Sequence, residues 1–137
     1  MEAKYFGEGL TYVNGKLIQL TYTAKKGFIY KVDNLGGEPE TFDFNTTTGE
    51  GWGLTYDSRQ HELVVSDGSE FLHFWDPDTL KPLRKLKVQR LDGSLAKNMN
   101  ELEYWRGRIL ANIWYQDTIC VINHRTGKVE KEYGTSG

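Results

Sequence analysis

Cysteine, proline and methionine are scarce in this sequence, and neither sign of charge dominates. Cys120 is the only cysteine among 137 residues, which excludes an internal disulfide and any cysteine-based zinc cluster. Proline occurs three times and methionine twice. Seventeen Lys and Arg stand against nineteen Asp and Glu, a formal net charge of −2 with no basic block, so no nucleic-acid partner is expected. No apolar run approaches the roughly 20 residues that a membrane-spanning helix needs, and no membrane partner is expected either. The opening MEAKYFGEGL has neither the basic nor the apolar stretch of a secretory signal. His61, His73 and His124 show no ligand spacing, so a zinc site is not expected. The length bounds the chain to one domain, or to part of a larger one.

What the sequence does hold is glycine and aromatic residues. Fifteen glycines make up about 11% of the chain against a usual ~7%, beside eight Tyr, six Phe and four Trp. That mixture suits short strands and tight turns. A repeat organises it. Gly9-Leu10-Thr11-Tyr12 recurs 44 residues on, from Gly9 to Gly53, as Gly53-Leu54-Thr55-Tyr56. Each copy follows a Gly-x-Gly step, and Asn100-Glu101-Leu102-Glu103-Tyr104 begins a third, diverged copy. Downstream, Leu17–Thr21 corresponds to Leu63–Asp67 and to Ile109–Ile113, and Phe28–Asp33 corresponds to Phe71–Asp76 and to Ile119–Asn123. Glu40–Phe44, Leu83–Val88 and Val129–Tyr133 close the three units. Turn signals separate the segments at Asn14-Gly15, Lys26-Gly27, Asp57-Ser58, Asp67-Gly68, Arg106-Gly107 and Thr126-Gly127.

Four short antiparallel strands in each unit of ~40–50 residues predict a β-propeller blade, rather than a sandwich with coincidental turn spacing. The expected fold is therefore all-β, a partial β-propeller in one domain over 1–137, with repeats at approximately 6–48, 49–96 and 97–137. Asp92 to Met99 reads as a loop. Three blades do not close a ring, since propellers need ~4–8. Met1 to Tyr5 reads as the outgoing end of a preceding blade, so the chain is expected to be a piece of a larger propeller or a protomer closing by association. Terminal blades would each keep one face uncovered, with Leu20, Phe28, Tyr30 and Val32 in the first copy and Ile109, Ile113, Ile119 and Val121 in the third. Self-association through those faces, a loose fold or a need for further blades is the expectation.

In a propeller the innermost strand of each blade lines the channel, and the residues leading into it stand at the channel mouth. Those residues are Glu8, Trp52 and the pair Asn100-Glu101. An acid, an indole and an amide at equivalent positions fit packing poorly, because packing favours similar residues in each copy. A carboxylate beside indole rings is partly desolvated, which raises its pKa and suits it to proton transfer near neutral pH. A lone glutamate more often caps a turn or pairs with a lysine; the repeat context favours function. Trp114 and its counterpart Tyr22 either wall a pocket or fill space between blades, and spacing does not separate the two. Trp75 reads as interblade packing, Trp105 as part of a surface turn, and Asp67 and Asp76 as turn acids. Asn45-Thr46-Thr47 matches a glycosylation acceptor, a weak motif.

The segments FGEGLTY (Phe6 to Tyr12), EGWGLTYD (Glu50 to Asp57), SDGS (Ser66 to Ser69), NELEYW (Asn100 to Trp105) and ANIWYQDTI (Ala111 to Ile119) resemble the glutaminyl-peptide cyclotransferase (glutamine cyclotransferase) family of plant and bacterial type. The resemblance spans essentially the whole chain in family order. It implies a five-bladed propeller of which these residues form roughly blades two to four. It also implies cyclisation of N-terminal glutamine in peptides to pyroglutamate with release of ammonia, without a catalytic metal. Carried over to this sequence, Glu8 is the general acid/base, Phe6, Trp52 and Trp114 line the pocket, and Asn100 binds substrate. Tyr22 stands where many members have Trp. The family's first-blade residues and last-blade lysine have no counterpart here. Two alternatives remain: a metal-dependent, lactonase-type hydrolase using Glu8, Asn100 and Glu101, or a non-catalytic fragment that binds peptides.

Overall fold

Short alternating segments punctuated by glycine turns fold as β-strands in the computed structural model, which describes residues 7–21, 25–34, 37–114 and 116–134. The first blade comprises β1 (Gly7–Val13), β2 (Lys16–Thr21), β3 (Lys26–Lys31) and β4 (Glu40–Asp43). The second comprises β5 (Gly53–Asp57), β6 (Glu62–Ser66), β7 (Phe71–Trp75) and β8 (Pro82–Lys87). The third comprises β9 (Met99–Trp105), β10 (Arg108–Ile113), β11 (Thr118–Ile122) and β12 (Val129–Gly134). Each is a four-stranded antiparallel sheet in sequence order, a meander whose strands pair only with their chain neighbours. The protein is all-β, a partial β-propeller. The strand expected at Met1 to Tyr5 lies outside the described residues.

Turn chemistry explains the meanders. Asn14 and Gly15, with φ of 50° and 79°, make the two-residue β1–β2 loop, and Arg106 and Gly107, at 48° and 81°, make the β9–β10 loop. Two consecutive positive φ angles match the right-handed twist of the flanking strands. In longer loops a side-chain oxygen of Asp57, Asp76 or Asn123 accepts hydrogen bonds from amides two and three residues on. One expected turn is absent: Lys26-Gly27 lies inside β3, where Gly27 pairs with Leu20 and Phe42. The Phe42 ring covers that glycine, its Cζ only 2.1 Å from where a Cβ would stand. An aromatic residue on the adjacent strand thus fills the gap that glycine leaves in a sheet. Val32 and Asp33, expected to extend the third strand, instead open a single 3-10 turn, Val32–Asn34.

Two apolar layers join the blades. Val13, Ile18 and Leu20 of the first blade pack on Leu54, Leu63, Val65 and Trp75 of the second. Trp75 meets the rings of Phe42 and Phe44 at 6.4 and 5.6 Å, so it is interblade packing as expected. Val64, Leu72 and Phe74 pack on Ile109, Ala111, Ile113, Cys120 and Ile122 of the third blade. Burial there pushes the Cys120 thiol up to about 11, so it serves as a small apolar filler.

The inner strands β1, β5 and β9 approach one another closely. A Cβ on Gly9 would stand 2.8 Å from Leu54 Cβ, and one on Gly53 would stand 2.0 Å from the Asn100 carbonyl oxygen. The Asn100 carbonyl also accepts a hydrogen bond from Ser66 Oγ at 2.5 Å, and the Tyr104 amide donates to Thr55 Oγ1 at 3.1 Å. Only glycine fits such a seam. The third repeat carries Glu101 at the matching position, and among the described residues no blade covers that side.

Strand alternation divides the apolar residues expected on the open faces. Leu20, Ile109 and Ile113 point towards the second blade and are buried. The open face of the first blade instead carries Leu10 and Tyr12, more than half exposed, on the side of β1 opposite Gly9 and Val13. Beyond β9 a groove of about 600 Å³ is lined by Trp105, Leu110, Ile119, Val121 and Tyr133, with charged residues at its edge. Trp105 ends β9 on this groove, at the β9–β10 turn, with the Arg106 guanidinium 5.1 Å from its ring.

Two outcomes are expected. Gly53→Ala should lower stability by about 1–3 kcal/mol, because its methyl group meets backbone that cannot move without parting the second and third blades; denaturant unfolding measures it, and an unchanged midpoint would contradict the seam. The chain alone should self-associate through its open faces, giving light scattering above the 15.8 kDa of one copy. A monodisperse monomer that unfolds cooperatively would refute that.

Candidate functional site

At the start of each inner strand the pairing slips by one residue, always at the position expected to face the channel mouth. Gly7 pairs with Thr21 and Gly9 with Leu20, so Glu8 is an extra residue in β1. In the third blade Ala111 pairs with Leu102 but Ile113 pairs with Met99, leaving one residue too many in β9 at Asn100-Glu101. In the second, the Trp52 amide donates to the Ser66 carbonyl at 2.9 Å although Ser66 pairs with Gly53, so two residues again face one. A bulge re-aims the side chain it carries, and such irregularities gather beside functional sites. Three blades therefore carry the same irregularity under an acid, an indole and an amide.

The bulges are held differently. Trp52 is 8% exposed and Trp114 is 43% exposed, so the first ring is the floor and the second the rim of one aromatic corner. Their centroids lie 5.1 Å apart with planes at 83°, an edge-to-face contact favoured by the ring quadrupoles. Trp114 follows directly after β10, in the turn towards β11. Backbone ties the two rings together. The Trp52 ring covers Gly68, whose φ is 85°, its Cζ2 2.6 Å from where a Cβ would be. The Gly68 carbonyl accepts from the Asn98 amide at 2.9 Å, and the Asn98 carbonyl accepts from the Trp114 amide at 2.8 Å.

Asn100 spends its main-chain carbonyl on Ser66, while among the described residues its side-chain amide makes no hydrogen bond. That amide is half-buried and has both donors and its acceptor to offer. The Glu101 amide donates to Asn112 Oδ1 at 2.7 Å, and the Glu101 side chain is exposed. Glu101 faces, with Leu10, Leu54, Leu102, Glu103 and Asn112, a cavity of about 410 Å³ on the channel side, which neither Trp52 nor Trp114 lines. Among the described residues no three His, Cys, Asp or Glu side chains converge as a metal site.

One feature of the mouth was not foreseen from the sequence. Asp67, expected to be a simple turn acid, does bind the Ser69 amide and hydroxyl, at 3.1 and 2.5 Å. It also accepts from the Thr48 amide at 3.0 Å, and Thr48 Oγ1 donates to the Asp67 carbonyl at 2.7 Å. His73 Nε2 lies 3.2 Å from Asp67 Oδ2 and 3.3 Å from Thr47 Oγ1. The Asp67 side chain is wholly buried. Burial pushes its carboxyl up, but the hydrogen bonds from His73, Ser69 and Thr48 outweigh it and hold the group well below the usual carboxylate range. The loop of residues 45–52 is thus pinned to the β6–β7 turn. The signal available was Thr46-Thr47-Thr48 ahead of the Gly-x-Gly step, three hydroxyls suited to side-chain-to-backbone bonding.

Of the residues predicted for the site, Trp52 and Trp114 meet, and Asn100 occupies the bulge of the neighbouring inner strand. The backbone of Glu8 occupies the equivalent bulge in β1, and its side chain lies outside the described residues. Phe6 and Tyr22 lie outside the described residues altogether.

Comparison with known proteins places this geometry in a family. The sequence profile of the glutamine cyclotransferase family matches residues 1–137. The chain is 35% identical over 129 residues to the glutaminyl-peptide cyclotransferase of Arabidopsis thaliana, covering 94% of this chain and 38% of that protein. It is similar to the crystal structure of Myxococcus xanthus glutaminyl cyclase, with a TM-score of 0.84 and 34% identity over 96% of this chain and 54% of the other. The WD40 domain of Neurospora crassa Pan2 matches at a TM-score of 0.66 and 13% identity, over 91% of this chain and 35% of the other, a likeness of fold alone. The chain therefore spans about half the length of the solved cyclase and well under half of the plant protein. With the family profile matching end to end, and two glutaminyl cyclases about a third identical over nearly all of its length, this chain belongs to the glutamine cyclotransferase family.

Proposed function

We propose that the protein acts on peptides with an N-terminal glutamine, converting that residue to pyroglutamate with release of ammonia. The observation that carries the reading is the bulge repeated in three inner strands under Glu8, Trp52 and Asn100, in a chain of the glutamine cyclotransferase family.

The chemistry asks little that such a mouth lacks. The α-amine nitrogen attacks the side-chain amide carbon of the same residue, a five-membered lactam forms, and the C–N bond to the departing nitrogen breaks. Both reacting groups belong to one residue, so holding that residue in a folded conformation supplies much of the rate. One proton leaves the attacking amine and one reaches the departing nitrogen. Glu8 is the group proposed to move both, first as base and then as acid. The Asn100 side-chain amide is proposed to bind the reacting amide or its developing oxyanion. Trp52 and Trp114, with Phe6 and Tyr22 completing the walls, are proposed to enclose the alkyl part of glutamine and exclude water. No cofactor enters this scheme.

Ammonia release from a glutaminyl dipeptide tests the reading. The chain is assayed alone and grafted in place of the matching region of the Myxococcus enzyme, which supplies the rest of that ring. The graft should turn over, and Glu8→Gln should lower its kcat by ~100-fold or more with unfolding unchanged, because shape is kept and only proton transfer is lost. The chain alone should turn over slowly or not at all. A Glu8→Gln graft with parental turnover would remove Glu8 from the mechanism.

Trp52→Ala and Trp114→Ala should each weaken dipeptide binding. Trp52→Ala should also cost about 3–5 kcal/mol of stability, because the larger part of its ring is buried; Trp114→Ala should cost less. Titration of the dipeptide beside unfolding separates the two effects. Variants that stay folded with unchanged binding would make these rings packing residues.

A further inference from the structure

The Trp52 indole is not held by apolar packing alone. Its Nε1 donates to Glu50 Oε1 at 2.8 Å. Glu50 sits two residues before it, at the end of the loop pinned to the β6–β7 turn. That loop is tied at several steps. The Glu50 amide donates to Thr48 Oγ1 at 3.2 Å, and the Glu50 carbonyl accepts from Thr46 Oγ1 at 2.7 Å. Thr48 is in turn bound at both its amide and its hydroxyl by Asp67. The chain of bonds runs from a wholly buried carboxylate, through Thr48, to the backbone of Glu50, whose own carboxylate accepts from an indole at the mouth.

The geometry constrains the ring strongly. The ring lies over Gly68 on one side and meets the Trp114 ring at 83°, so rotation about its own long axis would break the edge-to-face contact. Packing against a flat glycine surface does not select that rotation, whereas a directed N–H···O bond does. A carboxylate acceptor makes it one of the stronger kinds of hydrogen bond.

We propose that Glu50 is the positioning residue of the mouth, fixing the plane of the Trp52 indole against Trp114, and that Asp67 clamps the loop that carries it. The proposal rests on the reading of this mouth as a glutaminyl pocket for its purpose, but not for its geometry. Glu50 touches the wall and not the reacting atoms. Its acceptor oxygen matters, and its charge is secondary.

The test reads the Trp52 indole N–H in the 1H–15N spectrum of the full chain, assigned by its loss in Trp52→Phe. Its hydrogen exchange should be slow in the parent and in Glu50→Gln, whose amide oxygen still accepts. Exchange should be ~10-fold faster or more in Glu50→Ala and in Glu50→Asp, whose shorter side chain does not reach. Asp67→Asn should quicken it as well, by freeing the loop. Binding of a glutaminyl dipeptide, followed by tryptophan fluorescence in the Myxococcus graft carrying the same substitutions, should weaken in Glu50→Ala and Glu50→Asp and be restored in Glu50→Gln. If Glu50→Ala and Glu50→Asp exchange as slowly as the parent, or if Glu50→Gln loses protection while Glu50→Asp keeps it, the proposal is overturned. If exchange follows the expected order but no variant and not the parent binds the dipeptide, Glu50 still positions Trp52 and it is the pocket's ligand that was misread.

Discussion

The inner strands of neighbouring blades meet so closely that a single methyl group would not fit between them at Gly53 and the Asn100 carbonyl. Everything nearer the channel depends on that contact. It brings the Asn100 backbone under the Ser66 hydroxyl and thereby seats the β9 bulge against the second blade. Together with the backbone bond from Asn98 to Gly68 and the close approach of Gly127 to the Lys87 carbonyl, it sets how far the second blade's mouth residues stand from the third's. The first two repeats keep glycine here. The third has Glu101, so whatever covers its outward side meets a side chain where the other seams have bare backbone.

The mouth is a product of several loops rather than of any one repeat. Trp52 comes from the second blade and Trp114 from the third, and what fixes their separation is backbone that belongs to neither ring. Gly68 offers a flat seat because it has no Cβ, and Asn98 passes the contact on through its amide and carbonyl. Binding residues on loops need support of this kind, since a loop by itself gives little precision. The buried Asp67 supplies the rest by gathering the 45–52 loop onto the same turn. A carboxylate with no exposure persists there because hydrogen bonds replace the water it has lost.

Fold and chemistry part company in the comparisons. At 13% identity a WD40 domain reproduces the arrangement of blades, so the stacking of four-stranded meanders is common ground for unrelated functions. At about a third identity the two glutaminyl cyclases match nearly all of this chain, over roughly half or less of their own lengths. Among the described residues no blade covers the outer faces of the first and third blades. They are apolar surfaces of the kind that the second blade buries on both sides.

The repeat from Gly9 to Gly53 and again at Asn100 was enough to specify a propeller, because period-two alternation and glycine turns are local properties that survive without tertiary context. That Glu8, Trp52 and Asn100 are unlike residues at equivalent places was equally legible. Lys26-Gly27 was misread as a turn because its role depends on Phe42, a strand away, whose ring replaces the missing side chain. The open faces were misdrawn where hydrophobicity was counted without strand register, so Leu20, Ile109 and Ile113 proved to face inwards. The bulges, the angle between the two indoles and the Glu50 bond to Trp52 were beyond the sequence altogether. Repetition and turn chemistry are written in neighbouring residues, whereas a one-residue slip between strands, or a carboxylate reaching an indole, exists only once separate segments have been brought within hydrogen-bonding distance.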